Sequence, residues 1–219
     1  GDLAGHGLAA STLVPIHDCA DDHPPFKLSL LAADGKPLPR RAPLAGEPLV
    51  EASGLLFPHD VHLAAGGVAS PEGRKTLDCA SCHVGDGAGV GFQPITMKTH
   101  CADCHRLEFE PAVTTRQVPH GDAAEVMTTL REFYAGIALG EVPVDVVTIN
   151  GLLRRPTPAR NEVERRRALD WATQKSDAIA ADLFEVRVCA TCHGVSRTGD
   201  ANVPFAIAPV ALTRDWLPK

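Results

Sequence analysis

Apolar positions recur at Val126, Leu130, Phe133 and Ile137, the 4, 3, 4 spacing of one helical stripe. Asp122 stands before this run as an N-cap, Glu125 takes the capping-box position and Gly140 closes it, so a helix is predicted between them. A second stripe joins Leu169, Ala172, Ile179, Leu183 and Val186 along a helix of about seven turns that runs almost into Cys189. Elsewhere helical periodicity fails. Phe26-Lys27-Leu28-Ser29-Leu30 alternates, and Asp34-Gly35 follows as a turn, which predicts a short strand or hairpin near the N-terminus. Pro143, Pro156 and Pro158 break up residues 141–160, which read as a linker. The fold class expected is mainly α with much irregular structure.

Composition sharpens this picture. Aromatic residues make up 5 % of the 219, while glycines number 19 and prolines 18, so side chains alone fill an interior poorly. A formal charge of -6 argues against whole-surface attraction to nucleic acid or anionic lipid. No apolar run is long enough to span a bilayer. Arg154, Arg155, Arg160, Arg165, Arg166 and Arg167 form a basic run, but Glu162, Glu164 and Asp170 interleave with it, as on a solvated helix face.

The chemistry lies in the cysteines. Cys79, Cys82 and His83, then Cys101, Cys104 and His105, then Cys189, Cys192 and His193 each spell C-x-x-C-H. Two thiols at that spacing reach the two vinyl groups of a haem, and the histidine that follows supplies the proximal iron ligand. A C-x-x-C pair alone is also half a zinc ribbon, a redox dithiol or a small disulfide loop. With 10 histidines in 219 residues, three pairs each followed by histidine arise by chance roughly once in 10⁴ such chains. Three covalently bound haem c groups are therefore expected. Seven histidines remain for the opposite iron faces: His6, His17, His23, His59, His62, His100 and His120. A second imidazole gives a six-coordinate, low-spin iron suited to electron transfer. His120, on the turn Val118-Pro119-His120-Gly121, is placed to cap the second haem; His23 is a further candidate. Met97 and Met127 are thioether alternatives that read more simply as core filler.

The chain resembles the multihaem cytochromes c, particularly the low-potential class III type, through its three motifs, through Phe57-Pro58-His59-Asp60-Val61-His62 and through His100 just before Cys101. The resemblance covers residues 57–105 and 189–193; the long stretch 106–188 departs from compact class III members. It implies a small haem-cored architecture. It also implies that His59 serves the haem of Cys79 and Cys82, that His62 serves one of the other two, and that His100 serves a haem other than its neighbour's.

The expected organisation is an irregular segment without a haem motif at 1–56, a dihaem unit with a capping helix at 57–140, the linker 141–160, and the long helix with the third motif at 161–219. Glycines 85, 87, 89 and 91 predict a loop folded over a flat face. Cys19 has no partner motif. The function expected is electron transfer, a carrier rather than an enzyme, with a multihaem reductase holding one open axial site as the competing reading. Expected partners are other redox proteins or further haem-bearing subunits, including assembly into a larger complex or filament, and not nucleic acid. Covalent haem attachment implies export to the periplasm or the extracellular face. Gly1 begins no signal peptide, so a removed leader or a section of a longer protein is expected.

Overall fold

The computed structural model describes residues 27–30, 40–43, 49–51, 53–85, 92–110, 115–142, 147–149, 152–154 and 159–212. In chain order its elements are β1 (Lys27–Leu30), β2 (Arg40–Pro43), β3 (Leu49–Glu51), α1 (His59–His62), β4 (Val68–Ser70), β5 (Gly73–Lys75), α2 (Ala123–Leu139), β6 (Val147–Ile149), β7 (Leu152–Arg154), α3 (Glu162–Asp182), β8 (Gly194–Arg197), β9 (Phe205–Ala208) and β10 (Val210–Leu212). The strands form five two-stranded antiparallel sheets: β1 with β2, β3 with β10, β4 with β5, β6 with β7, and β8 with β9. The molecule is thus helical with small sheets and much irregular structure. The alternation at 26–30 forms a strand, with Lys27 opposite Pro43 and Leu30 opposite Arg40.

Helix α2 forms where its stripe predicts. Asp122 Oδ1 accepts the Glu125 N–H at 2.8 Å, and Gly140 ends the helix in the left-handed region at φ 76°, returning its N–H to the last turn. Val126, Leu130, Phe133 and Ile137 are all buried, and Met127 and Tyr134 widen the stripe. Helix α3 packs along α2 through the small residues Ala172, Ser176 and Ala180. Ser176 is buried without cost because its hydroxyl donates to the Ala172 carbonyl at 2.7 Å.

Two expectations need correction here. Val186 does not join the buried face of α3; it is 69 % exposed. A π turn at Leu183–Arg187 follows α3 and inserts a residue into the helical count, so Leu183 and Phe184 point inward instead. The presumed linker also contains regular structure, because β6 and β7 pair with Ile149 opposite Leu152. Pro143, Pro156 and Pro158 fall outside both strands.

Phe109 meets Phe133 and Tyr134 edge-on at centroid distances of 4.9 and 6.2 Å, and Phe184 stacks on Phe205 at 4.7 Å. Tyr134 donates to Glu110 Oε2 at 2.8 Å inside this core. Burial and the Glu110 carboxylate hold the Tyr134 hydroxyl well above its ordinary pKa, so it remains a donor. This single core draws on α2, α3 and β9, and thus spans the 141–160 segment. It stops abruptly at Phe109. Among the described residues from 53 to 108 no side chain is buried; only Gly54 and Gly67 are. No helix among the described residues is long and apolar enough to cross a membrane.

Candidate cofactor site

The three cysteine motifs adopt one backbone turn three times over. In each, the histidine N–H donates to the carbonyl of the first cysteine, Cys79, Cys101 or Cys189, at 2.8 Å. That bond closes the same backbone turn over each of the three motifs. The approach to each differs. Before the first motif, Asp78 accepts the Ser81 N–H at 2.8 Å and its hydroxyl at 2.7 Å, bonds that hold the Asp78 carboxyl below its ordinary pKa. The second is entered through a π turn, Met97–Cys101, capped by Thr96. The third follows the π turn at the end of α3, and its Cys189 packs on the core.

All six motif thiols are free of disulfides. Burial pushes the Cys101 thiol above its ordinary pKa, and the nearby Cys82, Cys192 and Cys104 add to the shift. Burial raises the Cys189 thiol as well. Among the described residues no group of three or more His, Cys, Asp or Glu is arranged to hold a metal ion.

The imidazoles form two cross-chain pairs. His62 on α1 meets His105 of the second motif with ring centroids 6.1 Å apart, and His120 meets His193 of the third at 6.0 Å. Two metal–nitrogen bonds of about 2 Å each, with about 1 Å from each nitrogen to its ring centre, place centroids about 6 Å apart. The centroid separation of each pair is therefore one at which both rings could serve a single iron. Partial burial and the His193 ring hold the His120 pKa below its ordinary value, which keeps its nitrogen available. His120 was expected to cap the second motif; its ring meets His193 of the third, and it also borders a groove together with His105 of the second.

The supporting hydrogen bonds are selective. His193 Nδ1 lies 3.0 Å from the Gly54 carbonyl and His62 Nδ1 lies 2.9 Å from the Pro58 carbonyl. A ring that donates through Nδ1 leaves Nε2 unprotonated and free to ligate. His100 is held differently. Its Nδ1 accepts the Thr96 N–H at 3.0 Å and sits 2.7 Å from Thr99 Oγ1. The same Nδ1 lies 3.2 Å from the Thr96 carbonyl oxygen, the contact that a protonated Nδ1 would make.

At the first motif the ring meeting His83 is Phe92, edge-on at 5.7 Å, and His59 lies edge-on to Phe57 at 4.8 Å. A groove of about 410 Å³ is lined by Met97, His105, Leu107, Val118 and His120 among others, so an imidazole of each pair borders it. His6, His17, Cys19, His23 and glycines 87, 89 and 91 lie outside the described residues. Sequence reasoning missed Gly54, Leu55 and Leu56, which act through their backbone and leave no side-chain signal. It also missed the ion pair of Arg197 with Glu185, two contacts of 2.6 Å that bracket the third motif. Compared with protein-family models, with curated proteins and with solved structures, the chain matches none.

Proposed function

We propose that this chain is a trihaem c-type cytochrome that passes single electrons between redox partners. The observation that carries the reading is the pair of imidazole couples, each joining a motif histidine to a histidine from elsewhere in the chain at the spacing of two ligands across an iron. The described residues between 53 and 108 support it, since ordered turns and a hairpin without a single buried side chain among them need another apolar filler. A porphyrin is such a filler. Cys79 and Cys82, Cys101 and Cys104, and Cys189 and Cys192 would anchor three haems, with His83, His105 and His193 as proximal ligands. His62 would complete the second site and His120 the third. His59 is the family-implied ligand for the first.

When bound, each haem supplies a one-electron couple. The chain's part is to hold the ligands so that little rearranges as an iron changes oxidation state, and to set each potential through ligand basicity, burial and nearby charge. The carbonyls of Gly54 and Pro58 fix two of those imidazoles. Covalent haem attachment would imply a location outside the cytoplasm, on the periplasmic or outer face, with other redox proteins or haem-bearing subunits as partners.

The optical spectrum of the reduced holoprotein, with and without carbon monoxide, tests the carrier reading. Sharp low-spin bands that ignore carbon monoxide are expected. A Soret shift in the unaltered protein would reveal an exchangeable iron face and move the reading to a reductase.

A further inference from the structure

Residues 54–62 touch two motifs in succession. Gly54 offers its carbonyl to His193 Nδ1 at 3.0 Å, Leu55 forms an antiparallel bridge with His193, and Leu56 donates its N–H to the Cys192 carbonyl at 2.6 Å. The chain then turns away. Phe57 stacks on His62 at 4.3 Å with the rings 25° from parallel, Pro58 accepts from His62 Nδ1, and His62 faces His105 of the second motif. A strap of nine residues thus begins on the third motif and ends on the second, although 83 residues separate those motifs in sequence.

Glycine is required at the start of the strap. Gly54 has φ 65°, and a Cβ there would lie 2.3 Å from Ile207 Cγ2 and 2.9 Å from the Ala208 carbonyl oxygen on β9. The β8–β9 hairpin therefore presses the strap onto His193. The groove lined by both His105 and His120 independently brings the second and third sites side by side.

We propose that the strap 54–62 is a common support for two irons: Gly54 positions the proximal ligand of the third haem and His62 supplies the sixth ligand of the second, making these two haems the adjacent, mutually responsive pair. This rests on the cytochrome reading above. Gly54 is a positioning residue, since it acts on the iron through His193. Sequence distance alone would pair the first and second haems, whose motifs are 17 residues apart.

The test uses the haem-loaded full chain, with each haem identified by the signal lost when its own cysteine pair is replaced by serine. Two variants are compared by electron paramagnetic resonance of the oxidised protein and by potentiometric titration. In Gly54→Ala, the third haem should rise in potential, because His193 loses an acceptor that makes it a stronger donor, and the signal of the second haem should change with it. In His62→Met, the second haem should gain a thioether charge-transfer band and a higher potential. The third haem's potential should then shift further than the first's. A Gly54→Ala effect confined to one haem would overturn the proposal, as would a thioether band arising on the first or third haem. If Gly54→Ala fails to fold, His62→Met decides alone. An unaltered protein without covalent haem would instead defeat the cytochrome reading itself.

Discussion

Replacing His120 with alanine should turn one of the three haems, that of Cys189 and Cys192, from low-spin to high-spin and open it to carbon monoxide. His120 stands 6.0 Å from His193, so on the proposed cytochrome reading its removal would leave that iron without its second side-chain ligand. The loss is local, because His120 lies outside the buried core and α2 keeps its own cap at Asp122. On adding carbon monoxide to the reduced variant, the Soret band should shift for one haem while the other two keep their low-spin spectrum. His120→Met should restore a six-coordinate iron at a higher potential. A change at the haem of Cys101 and Cys104 would mean that His120 serves the second site after all.

The largest loss of stability should come from Phe133→Ala. Phe133 is 1 % exposed, sits edge-on to Phe109 at 4.9 Å and to Tyr134 at 5.1 Å, and carries the Arg116 guanidinium over its face at 5.3 Å. Truncating such a ring costs about 3–5 kcal/mol through lost burial and the cavity left behind. That is a large share of the roughly 5–15 kcal/mol that holds a typical domain folded. Denaturant unfolding followed by helical circular dichroism should show it. Val163→Ala, at an α3 position 62 % exposed, should move stability by no more than about 0.5 kcal/mol. A Phe133→Ala loss below about 1 kcal/mol would mean that the core between α2 and α3 is not what stabilises the chain.

What could be read from sequence follows the range of the forces involved. Helix α2 was legible because its stripe, its Asp122 cap and its Gly140 stop are all local and agree with one another. The face of α3 was legible as far as Leu183 and then lost, since nothing in Leu183–Arg187 announces a π turn and a single inserted residue moves Val186 into solvent. The β6–β7 pair was missed because three prolines were weighed and Asn150-Gly151 was not. The motifs themselves were plain, as their chemistry requires fixed spacing, and their shared turn is equally local.

The pairing of histidines was another matter. His62 with His105, and His120 with His193, are long-range contacts set by where α1 and the end of α3 arrive. The composition did foreshadow one feature: in a chain with few aromatics, the described residues between 53 and 108 have no buried side chain of their own.

The central claim is that three haems are held covalently by this chain. It is tested most directly by maturing the protein in a host that attaches haem outside the cytoplasm, denaturing it in acidified organic solvent, and measuring haem against peptide. Three haems per chain that survive extraction, falling to two when Cys189 and Cys192 are both replaced by serine, are the result predicted. Haem that extracts freely, or a chain that matures with zinc or with disulfides at these cysteines, would contradict it.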